Sequence, residues 1–332
     1  MDMQVRLTQF SHGGGCGCKI APGVLEQILA KSAPGMIPKE LLVGIETADD
    51  AAVYQINERQ AIVATTDFFM PIVDDPFDFG AIAATNAISD VYAMGGQLLF
   101  ALALVGMPVN QLPLEVIRKI LEGGESVCAR ARIPIAGGHT IDSVEPIYGL
   151  VAIGLVDPRN LKRNAGAKPG DKLILGKPLG VGIYSAALKK GRLDDAGYKA
   201  MIESTTMLNT PGTALGNLPG VHALTDVTGF GLLGHLFKLA RASGMSAVVD
   251  HAAVPLIEGT RVAARAGYMP GGSRRNLEWV LPHTDTGAVD EEDLLLLADA
   301  QTSGGLLVAG ELPGAPVIGE LVPRRDSVLI IR

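Results

Sequence analysis

Segments with strand character alternate with segments with helix character along this chain, and glycine-containing turns separate them. In the first half, apolar stretches predict strands at 51–56, 61–66, 98–107, 133–136 and 147–156, and helices at 79–94 and 114–131. In the second half, we expect strands at 172–176, 305–308 and 327–331, an apolar stretch at 221–224 that Asp226 closes, and helices near 183–190, 198–208 and 232–242. This alternation favours an α/β (α+β) fold class.

The length of 332 residues corresponds to two domains at about 150 residues each. A polar stretch at 157–171, which contains Pro158 and Pro169, separates the two halves. We therefore expect a flexible glycine-rich segment at 1–45 with a short helix at 22–29, an N-terminal domain at 46–157 and a C-terminal domain at 158–332. Hydrophobic residues make up 48% of the chain, which excludes global disorder.

Charge and cysteine usage narrow the cellular setting. The net charge is −7 and no cluster of lysine and arginine is visible, which argues against nucleic acid or an anionic membrane as a partner. The longest apolar run, 98–109, is shorter than the ~20 residues of a membrane-spanning helix, and the first residues contain no apolar signal segment. Three cysteines form no disulfide framework. These features predict a cytoplasmic protein with reduced thiols.

The segment 11–19 contains four glycines and the run Gly-Cys-Gly-Cys-Lys. Such a loop has no packing face, so we expect it to be mobile and Cys16 to be accessible. The ammonium group of Lys19 would favour the thiolate form of a neighbouring cysteine. The alternative is a flexible tail with two ordinary cysteines, or a pair that oxidises. A zinc knuckle lacks a second Cys/His pair, and Ile20 after the lysine breaks the phosphate-loop pattern.

Aspartates recur at the ends of apolar segments and on one predicted helix: Asp49, Asp50, Asp67, Asp90 and Asp226. Asn86 and Asp90 are four residues apart, so they project from one face of that helix. An unpaired carboxylate within such an apolar segment would be costly. Carboxylates gathered from strand ends and a helix suit Mg²⁺. The alternative for Asp49 or Asp67 is a turn or capping role.

Two glycine turns could contact an anion. The segment 136–142 (Ala-Gly-Gly-His-Thr-Ile-Asp) follows a predicted strand, and 225–235 leads into a helix. A tight left-handed turn without a ligand is the alternative for the first, and a hydrogen-bonded turn residue is the favoured reading of His139. From the residues alone, the chain has a metal-dependent nucleotide site and a thiol loop, and no motif defines the reaction.

Nine segments, read together, resemble the selenophosphate synthetase (selenide, water dikinase) family. They are 7–12, 15–19, 46–54, 65–71, 84–90, 136–139, 225–231, 270–272 and 301–306. The wider superfamily includes aminoimidazole ribonucleotide synthetase, which shares the aspartates and lacks the Cys-Gly-Cys-Lys loop. The resemblance covers essentially the whole chain. Gly14 and Thr140 depart from the common alanine and serine, and neither is a reacting group.

The resemblance implies a kinase that converts selenide, ATP and water to selenophosphate, AMP and orthophosphate. It implies a two-domain subunit with the aminoimidazole ribonucleotide synthetase fold and an ATP cleft at a homodimer interface. A monovalent cation such as K⁺ and a selenium-delivery protein are further expected partners. Cys16 and Lys19 match the catalytic residues, and Asp50, Asp90 and Asp226 match the Mg²⁺ ligands. The positions matching the ATP site are Lys19, Thr47, Ala48, Asp49, Asp67, Asp90, Gly138, His139 and Thr140.

Two other functions remain open from the sequence. An ATP-dependent ligase or kinase of the same superfamily would keep full activity after Cys16→Ser. A non-catalytic thiol or selenium carrier would bind selenium or zinc at the cysteines and consume no ATP.

Overall fold

The N-terminal half forms a six-stranded sheet that two helices cover on one face. The computed structural model describes residues 5–20, 24, 27–28, 37–44 and 49–332. Two 3₁₀ turns, Leu7–Phe10 and Gly15–Cys18, precede β1 (Leu41–Val43), β2 (Ala52–Asn57), β3 (Gln60–Phe69), α1 (Pro76–Ala93), β4 (Gln97–Met107), α2 (Leu114–Arg130), β5 (Ile135–Asp142) and β6 (Ile147–Val156). The strands and helices expected in this half are confirmed, except that the strand expected at 133–136 runs from Ile135 to Asp142. The helix expected at 22–29 lies largely outside the described residues.

The order of the strands in this sheet is β1-β2-β3-β6-β4-β5, and β4 pairs with β5 in parallel. Helix α1 packs on β3 and β6, and its residues are almost all buried. Glycines let α1 and α2 approach closely: a Cβ at Gly80 would lie 1.8 Å from the Ile120 carbonyl, and one at Gly123 would lie 2.0 Å from that of Phe77. The two helices therefore cross with their backbones in contact.

The prediction of a turn after a short strand at 133–136 is wrong. Strand β5 continues through Gly137 and Gly138, which have φ values of +146° and +158°. A Cβ at Gly138 would lie 2.1 Å from the Ala103 carbonyl on β4. These glycines thus serve close strand pairing at a sheet edge instead of ending the strand.

The C-terminal half contains a seven-stranded sheet with order β10-β13-β9-β12-β7-β11-β8. Its elements are β7 (Lys172–Leu175), α3 (Val181–Lys189), α4 (Asp195–Thr206), α5 (Pro211–Gly216), β8 (Val221–Asp226), α6 (Gly231–Ala242), β9 (Met245–Val249), α7 (Thr260–Arg265), α8 (Gly271–Val280), β10 (Thr284–Asp285), α9 (Glu291–Leu297), β11 (Leu306–Gly310), β12 (Val317–Pro323) and β13 (Leu329–Ile331). The predicted segments of this half are confirmed, but the strands β9, β10 and β12 and the helices α5 and α7 to α9 were not predicted.

Most strand pairs in both sheets are antiparallel, so the fold is a mixed α+β arrangement and not a series of parallel βαβ units. One hydrophobic core surrounds α1 and its sheet, and a second surrounds α6 and the seven-stranded sheet. Helix α1 also contacts β8, which brings the end of that strand beside the first sheet. Among the helices that the structure describes, none combines the length and hydropathy that a membrane crossing requires.

Candidate functional site

Three carboxylates predicted as metal ligands lie in one buried region between the two sheets. Asp50 precedes β2, Asp90 projects from α1 and Asp226 ends β8. A hydroxyl group holds each of them. The donors are Thr225 to Asp50 at 2.9 Å, Thr65 to Asp90 at 2.5 Å, and Ser89 to Asp226 at 2.5 Å. Because α1 touches both sheets, residues more than a hundred positions apart converge on one place.

The carboxylates are close enough to repel one another. Burial, and then the charge of Asp226, raises the pKa of Asp50 to about 8. Burial raises the pKa of Asp90 well above its usual range, and the charges of Asp226, Asp67 and Asp50 raise it further. Burial also raises the pKa of Asp226, against the hydrogen bond from Ser89. A cation would relieve this repulsion.

The donor set fits Mg²⁺ in its usual coordination. Its groups are carboxylate oxygens, which are hard ligands. Within the described ranges, no three His, Cys, Asp or Glu side chains surround a single point closely enough to form a cage. Mg²⁺ normally keeps several waters and takes one or two protein carboxylates together with phosphate oxygens. Separate carboxylates whose charges act on one another are therefore suited to a metal–phosphate complex.

A chain of hydrogen bonds connects the thiol to the lysine. Cys16 Sγ donates to Asn86 Oδ1 at 3.2 Å, and Asn86 Nδ2 donates to Asp67 Oδ2 at 2.6 Å. Lys19 Nζ donates to the same Asp67 oxygen at 3.2 Å. Burial lowers the pKa of Lys19, but Asp67 and the other negative groups around it raise the pKa to a value above the ordinary one. The ammonium group is therefore charged at neutral pH.

The expectation that Cys16 is accessible is wrong, because its side chain is only 1% exposed. The Cys16 amide donates to Thr302 Oγ1 at 3.0 Å, and the Ser303 amide donates to Asn86 Oδ1 at 2.7 Å. Gly229 permits this packing, since a Cβ there would lie 2.3 Å from the Cys16 carbonyl. The glycines of the loop allow close backbone contact, so the loop docks on the C-terminal half.

The remaining predicted site residues lie elsewhere. Asp49 Oδ1 accepts from the Asn164 amide at 2.5 Å, while Thr47 and Ala48 lie outside the described residues. Residues 138–140 belong to β5, three strands away from β3, or about 14 Å at the usual strand spacing. Within one chain, the structure does not bring Gly138, His139 and Thr140 to the thiol and carboxylates.

Sequence reasoning missed several residues of this region. Asn86 was considered only because it shares a helix face with Asp90. Thr302 was considered only as part of the segment 301–306, which carries the family resemblance. Two lysines were not considered: burial lowers the pKa of Lys177 to about 7 and also lowers that of Lys238. Lys177 Nζ donates to the Ser303 carbonyl at 2.8 Å and thereby helps to fix the turn that receives Cys16. A charged residue within an apolar stretch is the signal that could have identified these lysines.

The fold and site define a class of protein. The family model "AIR synthase related protein, N-terminal domain" matches residues 48–156, and the C-terminal domain model matches 168–332. The structure of thiamine-monophosphate kinase from Stenotrophomonas maltophilia K279a has a TM-score of 0.62 at 19% identity, over 95% of this chain and 96% of that one. Hydrogenase maturation protein HypE in complex with ATP has a TM-score of 0.62 at 17% identity, over 98% and 94%. These structures share the fold of the AIR synthase related proteins.

More similar relatives define the family within this class. A selenide, water dikinase of Pseudomonas straminea is 65% identical over 311 residues, which are 93% of this chain and 87% of that protein. Another, of Dechloromonas aromatica (strain RCB), is 66% identical over 309 residues, 92% and 88% of the two chains. The chain belongs to the selenide, water dikinase family.

Proposed function

We propose that this protein makes selenophosphate from selenide, ATP and water, and releases AMP and orthophosphate. The observation that carries this proposal is the hydrogen-bonded connection from Cys16 through Asn86 to Asp67 and Lys19, in the same region as the carboxylates of Asp50, Asp90 and Asp226. It combines a soft thiol, a fixed positive charge and hard oxygen ligands in one place. Relatives at 65% and 66% identity carry the name selenide, water dikinase.

Asp50, Asp90 and Asp226 would hold Mg²⁺. When bound, the metal would neutralise the charge of the phosphate groups. Phosphoryl transfer depends on this neutralisation more than on covalent catalysis. The hydroxyl groups of Thr65, Thr225 and Ser89 orient these carboxylates. Lys19 is charged and lies beside Asp67, where it would contact a phosphate group of ATP.

Cys16 would position or carry selenium, because a soft thiol suits a soft element. The docked loop buries Cys16 and thereby excludes water from the thiol. Exclusion of water limits hydrolysis of reactive intermediates. The loop must therefore open to admit substrates and close again during the reaction.

The protein would act as a homodimer. The sheet face opposite α1 and α2 exposes apolar side chains on several strands: Tyr54, Phe68, Leu99 and Ile141 are between 42% and 55% exposed. Exposed apolar patches of this kind mark interaction surfaces. A second copy on this face would also explain the distance of 138–140 from the thiol, since the partner's β5 would complete the ATP cleft. Asp49, Thr47 and Ala48 would line the same cleft.

The remaining parts of the proposal rest on the resemblance. They are K⁺ as a monovalent cofactor, a selenium-delivery protein as partner, a cytoplasmic location, and a domain boundary at residues 157–158.

Anaerobic incubation with ATP, Mg²⁺ and selenide tests the function. Phosphorus NMR should show a species with a selenium–phosphorus bond, and chromatography should show AMP and orthophosphate. Cys16→Ser should abolish the selenium-dependent product. ADP alone without a selenium–phosphorus species would contradict the proposal. Full activity of Cys16→Ser on another substrate would instead indicate a different kinase of this class.

A further inference from the structure

A cavity of about 470 Å³ lies beside the Cys16 loop, and none of the site carboxylates belongs to its lining. The loop, Pro71 and Ile72, helix α3 and the start of α8 form its walls. None of the catalytic, ATP-site or metal residues predicted from the sequence lines this cavity, so it offers an approach to the loop that the predicted site does not use.

The cavity is positively charged in a protein whose net charge is −7. Lys189, Arg275 and His12 contribute to its lining, and no acidic side chain belongs to the lining within the described residues. Glu145 pairs with the His12 ring at 2.9 Å, so Lys189 and Arg275 supply most of the positive charge of the cavity. Lys189 Nζ donates to the Ser11 carbonyl at 3.2 Å, and Arg275 forms no ion pair with any residue in the described part of the chain.

The backbone of α3 does not supply this charge. The Val181 and Gly182 amides already donate to Gln301 and Asp299, at 3.2 Å and 3.1 Å. An anion in the cavity would therefore be attracted by the lysine and arginine side chains and not by the start of this helix. The site carboxylates, which do not line the cavity, would repel the same anion.

A narrow contact separates the cavity from the thiol. A small gap of about 10 Å³ beside Cys16 and Lys19 shares three lining residues with the cavity, namely Gly17, Gly272 and Arg275. A Cβ at Gly272 would lie 3.2 Å from the Gly17 carbonyl. Two glycine backbones thus form the constriction, and a shift of the loop would join the cavity to the sulfur atom.

We propose that this cavity admits the anionic selenium substrate, the hydroselenide ion, to Cys16 by a route separate from the carboxylates. The inference rests on the proposed function for the identity of the anion. Lys189 and Arg275 would attract a small monoanion and guide it toward the glycine constriction. ATP and its metal ions would use the side with the carboxylates, so neither substrate would block the other.

Alkylation of Cys16 tests the route without any turnover. Iodoacetate and iodoacetamide differ by one negative charge and little in size, so the ratio of their rates measures the field along the approach. In a Cys18→Ser background, mass spectrometry of the Cys16 peptide gives both rates. We expect Arg275→Gln and Lys189→Gln each to lower the iodoacetate-to-iodoacetamide ratio about threefold, and the double variant to lower it about tenfold. Arg275→Lys should restore the wild-type ratio.

Arg274→Gln is the matched control, because Arg274 lies on the same helix, is next to Arg275 in sequence and faces Glu291 at 3.9 Å. An unchanged ratio in Arg275→Gln and Lys189→Gln, an equal fall in Arg274→Gln, or no reaction of Cys16 with either reagent would overturn the route. In turnover, the two cavity variants should raise KM for selenide severalfold and leave KM for ATP unchanged. A protein that makes no selenophosphate but shows the expected alkylation ratios would refute the function and keep the anion route.

Discussion

Cys16 is the residue at which the two halves of the chain meet. Its thiol bonds to Asn86 on α1, and its amide bonds to Thr302 before β11. Asn86 in turn accepts a hydrogen bond from the Ser303 amide, so the same side chain contacts both the loop and the turn before β11. The position of the sulfur atom therefore depends on the packing of both halves.

Thr302→Val removes the hydroxyl acceptor of the Cys16 amide and keeps the side-chain shape. A buried donor left without its acceptor costs about 1–2 kcal/mol, so we expect closure of the loop and selenophosphate formation to fall about tenfold. Thr205→Val is the control, because Thr205 is fully buried and its hydroxyl donates to the Met201 carbonyl within α4. Equal activity of the two variants in the NMR assay would show that Thr302 does not seat the loop.

Some residues of the site could be predicted and others could not. The four-residue spacing of Asn86 and Asp90 on an apolar helix indicated a shared inward face, and both side chains do point into the site. Thr302 lies 286 positions from Cys16, and no local pattern marks a threonine that accepts from a distant amide. The burial of Cys16 could not be predicted either. A glycine-rich segment indicates a mobile loop, and the sequence does not show the surface against which this loop packs.

At the scale of elements, Asp299 fixes the beginnings of two helices. One carboxylate oxygen accepts from the Gly182 and Ile183 amides at the start of α3, at 3.1 Å and 3.4 Å. The other accepts from Ser273 in the first turn of α8 at 2.9 Å. Gln301 also donates to Asp299, at 2.8 Å, which connects this junction to the turn that holds Thr302.

Asp299→Asn should destabilise the fold by about 2–3 kcal/mol, because an amide nitrogen would face donors that now bond to a carboxylate. Chemical denaturation at pH 8 is the measurement, since burial raises the pKa of Asp299 to about 7 and the group is ionised above that value. Asp290→Asn is the control: Asp290 caps α9 at the surface, where asparagine is an equivalent cap. Equal losses in the two variants would contradict the junction role of Asp299.

Helix α6 contains a buried histidine that should make the fold sensitive to acid. Burial, and then Lys238 and Lys19, lowers the pKa of His235 well below its usual value. Its Nε2 accepts from the Thr228 amide at 3.1 Å. The unfolded chain takes up a proton at His235 near pH 6.5 and the folded chain does not. The contribution of the neutral histidine to the free energy of unfolding is therefore present above pH 6.5 and is lost as the pH falls.

From pH 7.5 to 5.5, the wild type should therefore lose about 1.4 kcal/mol more stability than His235→Gln. Parallel urea titrations of the two proteins across this range measure the difference. His251→Gln is the control, because His251 is partly exposed and bonds to the Arg332 carbonyl near the C-terminus. Identical pH profiles of His235→Gln and the wild type would exclude this histidine as the source.

Prediction of elements succeeded where apolar runs were long and failed where pairing decided the conformation. Helix α1 and strand β6 follow their sequence patterns closely. Strand β5 did not, because two glycines read as a turn while pairing with β4 keeps the chain extended. Strand β12, with Gly319 and Pro323, has weak strand character and is held by β7 and β9.

At the scale of the whole molecule, α1 joins the two sheets and thereby assembles the site within one chain. The carboxylates and the thiol come together through this helix, while residues 138–140 stay at the far edge of the first sheet. The sequence predicted two domains of mixed strands and helices but contained no information on how their edges meet. If β5 contributes to the ATP site as proposed, a second copy of the chain would supply it.

Mixing two inactive variants tests this arrangement. Cys16→Ser removes the thiol, and Thr140→Glu places a carboxylate on β5 where it would repel a triphosphate. If each site combines the loop of one chain with β5 of its partner, a mixed dimer has one intact site and one doubly altered site. Random exchange makes half of the dimers mixed, so an equal mixture should recover about a quarter of the wild-type activity per site. Phe68→Asp in both chains should prevent recovery and give a monomer by sedimentation. Recovery that stays at zero, with mixed dimers shown by mass spectrometry, would mean that β5 does not contribute to the partner's site.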